Sequence, residues 1–529
     1  MACLAASTLS LSVSAADRAL SIVPYPESVT VLKGDCKVAG ASFTCDKLLG
    51  DKAAKAVNAF SDVLAAKTGK TKGGARISFS FGKDLAPEHY TIEISKSRIK
   101  IGACDYNGVI YAIATLKQLL PASIYGDDED AAADWTVPCC KIADGPRFAY
   151  RGVHMDPCRH FWTIEETKRY IDIMAVYKLN RLHWHLTEDQ GWRVEIKALP
   201  LLQEVSAWRN GTQIGRRPDL DDGIRYGGYY TQDQIKEIIE YADERGIVII
   251  PEVDLPGHMV AALAAYPELA CYGDHFEVRG YWGISSSVLC PGKESTFKFI
   301  ETVLGEIAEL FPSEYIHIGG DECPKYKWEN CEDCQAKIKE LGFEDDEHFT
   351  AEQKLQSYVT ARVQAFLATK GKKIIGWDEI LEGDNLQSGA TVMSWRGTEG
   401  GIIAAKKGFD VIMSPSTYCY IDYLQSRNPE EEPLGIGGFI DLEKIYSYEP
   451  YEGMEPGTES HILGPQCNLW TEYIPTPEHL EYMLLPRMLG LSEVAWCPQG
   501  TKDYPKFLKE VREHQYKVLD AMNYNYKRY

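Results

Sequence analysis

The sequence lacks the features that mark several classes of protein. Beyond residue 16, no stretch approaches the ~18 uninterrupted apolar residues of a membrane-spanning helix. Lys and Arg number 56 against 77 Asp and Glu, which gives a formal charge of −21. This acidic balance argues against a nucleic-acid or anionic-membrane partner, because both need a basic surface. With 45% hydrophobic and 25% charged residues over 529 positions, the composition is typical of a folded globular chain of two or three domains.

The cysteines do not form the regular framework of a small disulfide-rich domain. There are 15, an odd number, scattered along the chain. Cys331 and Cys334 have the spacing of half a metal site, and Cys323 is nearby. A structural zinc site needs four ligands, and the sequence suggests no matching second pair. We therefore predict buried thiols or one local disulfide here, with no metal and no other cofactor.

The first residues resemble a secretory leader. Residues 1–16 are small, apolar and uncharged, and they end in the small-x-small pattern of a cleavage site. No basic residue precedes the apolar stretch, as in a leader whose start is truncated. We predict a signal peptide over residues 1–17 and a periplasmic or secreted protein.

Residues 18–144 predict a small N-terminal α/β domain. Three segments alternate apolar and polar residues, as half-buried strands do: Arg76–Phe81, His89–Ser95 and Arg98–Gly102. Two segments have helical apolar spacing: Ala53–Lys67 and Asn107–Leu120. The acidic stretch Gly126–Asp134 is typical of a surface loop near a domain boundary.

Residues 145–529 alternate β-rich and helical segments, and residues 498–529 predict a terminal helix. The predicted strands are Ala149–Val153, Leu179–Leu186, Ile247–Asp254, Tyr315–Asp321, Lys373–Asp378, Thr391–Trp395, Asp410–Ser414 and His461–Trp470. Eight such units predict a (β/α)8 barrel, so the fold class is α/β. The alternative is an open doubly wound sheet, which normally has a glycine-rich turn after its first strand. Here the segment His154–His160 follows instead.

The carboxyl ends of the predicted strands bear chemically active residues, as the active site of such a barrel requires. Seven of the eight ends present carboxylates, aromatic residues or both. Carboxylates beside aromatic platforms, without an evident metal or phosphate motif, are typical of a glycosidase.

Six segments at these positions resemble glycoside hydrolase family 20, the family of the β-N-acetylhexosaminidases. They are Arg151–Asp156, His183–Trp192, Val253–His258, His317–Glu322, Gly376–Glu379 and Leu469–Glu472. The resemblance covers about residues 21–500. It implies an exo-enzyme that hydrolyses terminal non-reducing β-linked GlcNAc or GalNAc. The 2-acetamido oxygen of the substrate attacks the anomeric carbon and forms an oxazolinium ion, and the anomeric configuration is retained.

The resemblance also implies catalytic roles for three residues. Glu322 is the acid/base, Asp321 binds the acetamido N–H and stabilises positive charge, and Tyr420 hydrogen-bonds the acetamido oxygen. Tyr418 is a less favoured alternative to Tyr420. The neighbouring charge of Asp321 would help to raise the pKa of Glu322, as a proton donor at neutral pH requires.

The remaining implied roles concern binding and positioning. Arg151 and Glu472 grip the 3- and 4-hydroxyls, and Asp422 reaches the 4- or 6-hydroxyl. The walls of the sugar pocket are Trp377, Trp395 and Trp470, and the residues that orient Glu322 are Asp189, Asp254 and His258. The sequence departs from the family at Glu188, where Asp is common, and in the long loop Gly273–Glu294.

Three other functions compete with this one. His183 and His185, on one face of a strand, resemble the metal-binding pair of an amidohydrolase, but predicted strands five to seven end in Trp, Asp, Glu and Tyr, with no His. A catalytically dead sugar-binding protein would retain the Trp pocket and lose the acid. A conventional two-carboxylate glycosidase would use Glu379 or Glu472 as its nucleophile.

Overall fold

The N-terminal domain is built on a six-stranded sheet. The structure is a computed structural model that describes residues 19–529; the predicted leader lies outside them. The strands, in their order across the sheet, are Ser28–Lys37, Thr136–Asp144, Tyr90–Ser95, Arg98–Ala103, Arg76–Phe81 and Ser42–Cys45. Two helices pack against it, Gly50–Thr68 and Tyr106–Gln118. The sequence did not predict the strand Ser28–Lys37, whose register shifts between Val31 and Asp35 and interrupts the alternation.

The second part of the chain is a closed barrel of eight parallel strands, so the predicted (β/α)8 barrel is confirmed. In chain order the strands are Gly152–Met155, Arg181–His185, Val248–Glu252, Tyr315–His317, Lys373–Trp377, Thr391–Ser394, Asp410–Met413 and Ile462–Cys467. The first strand pairs with the eighth through Gly152 and Gln466, which closes the barrel and rules out the open sheet.

Helices surround the barrel and pack their apolar faces on it. They are Ile164–Val176, Gln232–Asp243, Glu294–Leu310, Ala351–Thr369, Glu399–Lys406, Leu442–Ser447, Pro477–Leu484 and Arg487–Trp496. Shorter helices lie in the loops, at Leu201–Glu204, Val260–Ala265, Tyr326–Glu329 and Glu332–Leu341. Capping boxes begin three of the barrel helices, at Thr163 with Glu166, at Thr231 with Gln234 and at Thr350 with Gln353.

Short two-stranded ribbons complete the loops above the barrel. They pair Thr187–Glu188 with Gly191–Trp192, Trp208–Arg209 with Tyr226–Gly227, and Gln213–Ile214 with Arg217–Asp221. In residues 19–529, no helix is both long enough and apolar enough to cross a bilayer.

The C-terminal segment packs on both domains. It forms the helices Tyr504–Glu510 and Tyr516–Ala521, joined by a π-helical turn, Val511–Gln515. Gln515 donates to the Gln118 side chain of the first domain at 3.2 Å and accepts from the Tyr177 hydroxyl of the barrel at 3.1 Å.

Buried charges join the N-terminal domain to the amino ends of the first two barrel strands. Lys178 lies 3.0 Å from Asp144, and neither side chain is exposed. Arg151 immediately precedes the first strand, and its guanidinium contacts Glu88 at 2.9 Å and the Tyr111 hydroxyl at 2.8 Å. The predicted role of Arg151 in gripping the sugar is therefore wrong, because its side chain is bound at the end of the barrel opposite the catalytic loops.

Candidate active site

A glycine turn follows the fourth barrel strand, which ends at His317. Gly319 and Gly320 have φ values of +65° and +106°. A Cβ at Gly319 would lie 1.7 Å from Oδ1 of Asp254, so only glycine fits there. The backbone N–H of Gly320 donates to that same Oδ1 at 3.1 Å. Asp254 and the two glycines thus end the strand and turn the chain.

This turn brings two consecutive carboxylates to the same point. Adjacent residues of an extended strand face opposite sides, but Glu322 has φ +46° and leaves the extended conformation. Nε2 of His258 lies 3.7 Å from Oδ2 of Asp321 and 3.6 Å from Oε2 of Glu322. His258 itself has φ +51°. Two non-glycine residues in the left-handed region, facing each other in one cleft, are typical of a functional site.

Glu188 holds the opposite side of the His258 ring. Nδ1 of His258 lies 2.8 Å from Oε1 of Glu188. Burial alone would lower the pKa of His258, but the carboxylates of Glu188, Asp254 and Asp321 raise it well above its usual range. These carboxylates favour the protonated form of the His258 ring, whose Nε2 faces the carboxyls of Asp321 and Glu322.

Asp189, predicted to help orient Glu322, has a different position. Its Oδ1 accepts from the backbone of Val260 at 3.0 Å, and its Oδ2 accepts from Arg279 at 2.8 Å. Asp189 thus anchors the loop over the barrel, and Glu188 makes the hydrogen bond to His258. The reason is that both carboxyl oxygens of Asp189 are engaged by Val260 and Arg279.

The carboxyl groups of the site differ in their tendency to hold a proton. Burial raises the pKa of Glu322, and the neighbouring charge of Asp321 raises it further. Burial and the charge of Asp321 raise the pKa of Asp254 well above its usual range, which favours its neutral form. Oδ1 of Asp321 is buried and has no hydrogen-bond partner among residues 19–529. An unsatisfied buried acceptor is costly, so this oxygen is available to an N–H of a ligand.

Aromatic side chains also lie at the carboxyl ends of the barrel strands. Two indole N–H groups are fixed by carboxylates: Trp377 donates to Glu252 at 3.0 Å, and Trp395 donates to Glu379 at 2.9 Å. Trp470 lies beside Trp377, with ring centroids 6.0 Å apart. Since each indole is held by a bond or a ring contact, the wall is rigid.

Tyr420 rather than Tyr418 belongs to the aromatic wall formed by Trp377, Trp395 and Trp470. Its ring is nearly parallel to that of Trp395, at 6.2 Å and 23°, and its pKa is raised well above normal by burial and by Asp422. Tyr418 instead stacks on Tyr448 at 4.9 Å.

Arg159 occupies the place expected for Arg151. It follows the carboxyl end of the first strand, and its guanidinium lies 4.9 Å from the ring of Trp470. Its Nη1 donates to Asp156 at 3.1 Å, and its Nη2 lies 3.1 Å from Glu188 and 3.9 Å from Glu472. The sequence signal was available, since Arg159 lies four residues after the strand and Arg151 lies before it.

Asp422 lies near Arg159 and Glu472, and these three residues form the polar side of the site. Both of its carboxyl oxygens are buried and have no hydrogen-bond partner in residues 19–529. Burial raises its pKa well above normal, and the charge of Glu472 adds to the effect. Arg159, Glu472 and Asp422 thus offer donors and acceptors that suit sugar hydroxyls.

The interior of the barrel contains a polar cluster that the sequence analysis did not identify. Glu252, fully buried, is hydrogen-bonded to His185 and lies 2.9 Å from Nε2 of His183 and 2.9 Å from Nδ1 of His317. The two histidines of the hypothetical amidohydrolase pair are therefore engaged with Glu252. This cluster also fixes Trp377, through its indole bond to Glu252.

Comparison with known proteins agrees with this geometry. The model of the glycosyl hydrolase family 20 catalytic domain matches residues 148–499, and that of the family's domain 2 matches residues 19–145. The chain belongs to glycoside hydrolase family 20. The predicted resemblance is thereby confirmed.

Relatives and solved structures of the family cover nearly the whole chain. A β-hexosaminidase of Porphyromonas gingivalis is 41% identical over 96% of this chain, which spans 64% of that relative's length. A β-hexosaminidase of Vibrio furnissii is 36% identical over 89% of this chain and 76% of its own. The structure of an exo β-N-acetylglucosaminidase from Vibrio harveyi with N-acetylglucosamine superposes with a TM-score of 0.83, at 33% identity, over 98% of this chain and 79% of that one.

A β-hexosaminidase of Streptomyces plicatus, solved as a mutant with GlcNAc as product, gives a TM-score of 0.82 at 29% identity and covers 96% of both chains. The two-domain arrangement of this family 20 member therefore recurs in solved relatives.

Proposed function

We propose that this family 20 member is an exo-acting β-N-acetylhexosaminidase that removes terminal non-reducing β-linked GlcNAc or GalNAc from glycans. The observation that carries the proposal is the buried, unpartnered Oδ1 of Asp321 beside Glu322, within the aromatic wall. An acetamido N–H is the donor that such an oxygen lacks. The solved relatives from Vibrio harveyi and Streptomyces plicatus bind N-acetylglucosamine.

The acetamido group of the substrate serves as the nucleophile. Asp321 accepts the N–H and Tyr420 donates to the carbonyl oxygen, which aligns that oxygen with the anomeric carbon. A tethered and aligned nucleophile reaches an effective molarity of about 10⁵ M or more. Asp321 also stabilises the positive charge that develops on the ring and the oxazolinium, and the indoles of Trp377, Trp395 and Trp470 favour a cation.

Glu322 supplies the proton and later removes one. Its raised pKa favours the protonated form that the departing glycosidic oxygen needs. The carboxylate that results is stabilised by the imidazolium of His258 at 3.6 Å, and it then activates the water that opens the oxazolinium. Net retention follows, because two displacements occur at the same carbon.

The polar side of the site selects a terminal sugar. Arg159 and Glu472 face the 3- and 4-hydroxyls, and Asp422 accepts or donates at the 4- or 6-hydroxyl. These groups are polar and largely buried, so an unmatched hydroxyl or a further sugar residue in their place would cost binding energy.

The decisive experiment compares aryl β-glycosides that differ only at C2 and C4. We expect hydrolysis of the N-acetylglucosaminide and N-acetylgalactosaminide, negligible hydrolysis of the unacetylated glucoside, and strong inhibition by a cyclic thiazoline mimic of the oxazolinium. Equal rates on the glucoside and its N-acetyl counterpart would refute the substrate-assisted mechanism and favour an enzyme nucleophile such as Glu379 or Glu472.

We also propose that the protein is exported. The support is the apolar leader-like segment at residues 1–16. Expression with and without residues 1–17, followed by cell fractionation and N-terminal sequencing, tests this. Export and cleavage that depend on the segment would support the proposal, and retention of the uncleaved chain in the cytoplasm would refute it.

A further inference from the structure

Four cysteines that are distant in the sequence meet beside the active-site loop. The Sγ atoms of Cys271, Cys290, Cys331 and Cys334 all lie within 4.8 Å of one another. Individual separations are 3.4 Å for Cys290–Cys334, 3.7 Å for Cys290–Cys331 and 3.8 Å for Cys271–Cys334. The expectation that Cys331 and Cys334 have no matching pair is therefore wrong, because the pair is supplied from about 40 to 60 residues upstream.

The sulfur separations fit the edges of a metal–thiolate tetrahedron. A disulfide requires sulfurs about 2.05 Å apart. Zinc–sulfur bonds of about 2.3 Å in tetrahedral geometry place the sulfurs about 3.8 Å from one another. The three measured separations differ from that value by no more than 0.4 Å, and four thiols complete the coordination without an open position.

The surroundings of the four sulfurs suit a structural metal. Three of the four cysteines are buried, and they pack against Val288, Trp328, Ile338 and Leu355. Cys331 is the N-cap residue of the ten-residue helix Glu332–Leu341, whose first turn contains Cys334. A helix N-terminus stabilises thiolates, and a dry apolar shell excludes water from the bonds.

We propose that Cys271, Cys290, Cys331 and Cys334 bind one structural Zn²⁺ as a four-thiolate site. Binding forms four Zn–S bonds and releases the thiol protons to solvent, without any change in oxidation state. The site is separate from the catalytic carboxyls, and it takes no part in the chemistry of bond cleavage.

The site would fasten the long loop to the segment that follows the acid/base. The loop begins after Cys271 and returns at Cys290, whose backbone N–H donates to Leu269 at 2.8 Å. The indole of Trp328, which lies just beyond Glu322 in the sequence, donates to Leu289 at 3.0 Å. Between these ends, residues 275–281 and 284–287 help to line a cavity of about 790 Å³.

The loop also reaches the sugar site itself. Arg279 donates to Asp189 at 2.8 Å, and the ring of Trp282 lies 5.7 Å from that of His160, next to Arg159. Zinc would therefore set the position of Trp282 at the mouth of the site. This consequence for activity rests on the proposed function, whereas the metal site itself does not.

The test measures metal in the full chain, purified without chelator or added reductant. Elemental analysis by plasma mass spectrometry should find about one zinc per chain, and an organomercurial should release it to a colorimetric indicator. The zinc content of Cys290→Ser and of Cys334→Ser should be lower than that of the wild type by a factor of about ten or more. Even a change outside the ligand set weakens metal affinity by about that factor. Cys140→Ser, a matched change at a buried thiol of the N-terminal domain, should retain it.

A spectroscopic measurement on the wild type keeps the test valid if the serine variants fail to fold. Co²⁺ exchanged into the protein should show the d–d bands and sulfur charge-transfer bands of tetrahedral thiolate coordination. Mass mapping of the non-reduced protein shows whether the four cysteines form disulfides instead of binding a metal. Disulfides within the four cysteines, or four thiols that take up neither Zn²⁺ nor Co²⁺, would overturn the proposal. Metal content is read without substrate, so failure of the hexosaminidase function would be seen separately.

Discussion

Replacing Arg159 with Met should abolish most of the recognition of the terminal sugar. The substitution keeps much of the apolar stem over Trp470 and removes the guanidinium. In the free protein, Nε donates to Gln190 at 3.1 Å, Nη1 donates to Asp156, and Nη2 contacts Glu188. These contacts use three of the five N–H donors of a guanidinium, and two remain for substrate hydroxyls.

The expected loss follows from those two donors. A hydrogen bond to a charged group contributes about 1.5–3 kcal/mol, so two contribute about 3–6 kcal/mol. At about 1.4 kcal/mol per factor of ten, kcat/KM should fall about 10²–10⁴-fold. A 4-deoxy substrate should lose little further activity in the variant, because the partner of that hydroxyl is already missing.

Arg151→Met is the matched control. Its guanidinium contacts Glu88 across the domain junction, where removing one partner of a buried pair costs about 3–5 kcal/mol of stability. We expect a lower melting temperature for this variant and an unchanged kcat/KM at temperatures where it is folded. The assay is steady-state hydrolysis of the aryl N-acetylglucosaminide, with the fold of each variant checked by circular dichroism.

The opposite pattern would refute the reassignment. If Arg151→Met lost activity while folded and Arg159→Met retained it, the sugar-binding arginine would be the one that the sequence first suggested.

Three further predictions concern the catalytic carboxyls and their support. Glu322→Gln should lower kcat about 10²–10⁴-fold on poor leaving groups and much less on activated aryl glycosides; equal losses on both would contradict its role as acid. Asp321→Asn should cost about 10²–10³-fold in kcat with an unchanged melting temperature; a loss in KM alone would contradict transition-state stabilisation. Glu188→Gln should lower the pKa of His258 and move the pH profile of kcat/KM, whereas a uniform loss at every pH would indicate a purely structural role.

The same Glu188→Gln variant has a defined signature in stability. The pKa of His258 is raised in the folded protein, so its contribution is complete below the unfolded value of about 6.5 and is lost as pH rises through the folded pKa. The pKa of Glu188 is lowered well below normal, so its contribution is present above about 4.5 and is lost as pH falls through the folded pKa. The wild type should therefore exceed the variant in melting temperature most strongly between about pH 4.5 and 6.5.

The barrel and most of the residues at the carboxyl ends of its strands could be predicted, because they depend on local sequence patterns. The strands are short and mostly apolar, and several are followed by a helix with a capping residue, so the strand ends are visible in the sequence. In a barrel, catalytic groups follow the carboxyl ends of the strands. This rule identifies the following residues without any knowledge of distances: Asp321, Glu322, Trp377, Trp395 and Trp470.

The features that the sequence did not predict depend on where side chains lie in three dimensions and on contacts between residues that are far apart in the chain. Glu188 and Asp189 are neighbours in the chain, and only the three-dimensional position of His258 shows which of them contacts it. Cys271 and Cys290 look unrelated to Cys331 and Cys334 until the loop folds back on the helix that follows the fourth strand. The error at Arg151 was of another kind, because the strand boundary was placed too early.

The protonation of the site depends on the substrate itself. In the free protein burial raises the pKa of both Asp321 and Glu322, and His258 opposes this about equally, at 3.7 and 3.6 Å. Bound substrate breaks this symmetry. In the proposed complex, the acetamido N–H would donate to Oδ1 of Asp321 and favour its charged form, while the sugar would cover the half-buried Glu322 and favour its neutral form. Substrate binding therefore separates the two pKa values in the directions that a charged stabiliser and a proton donor need.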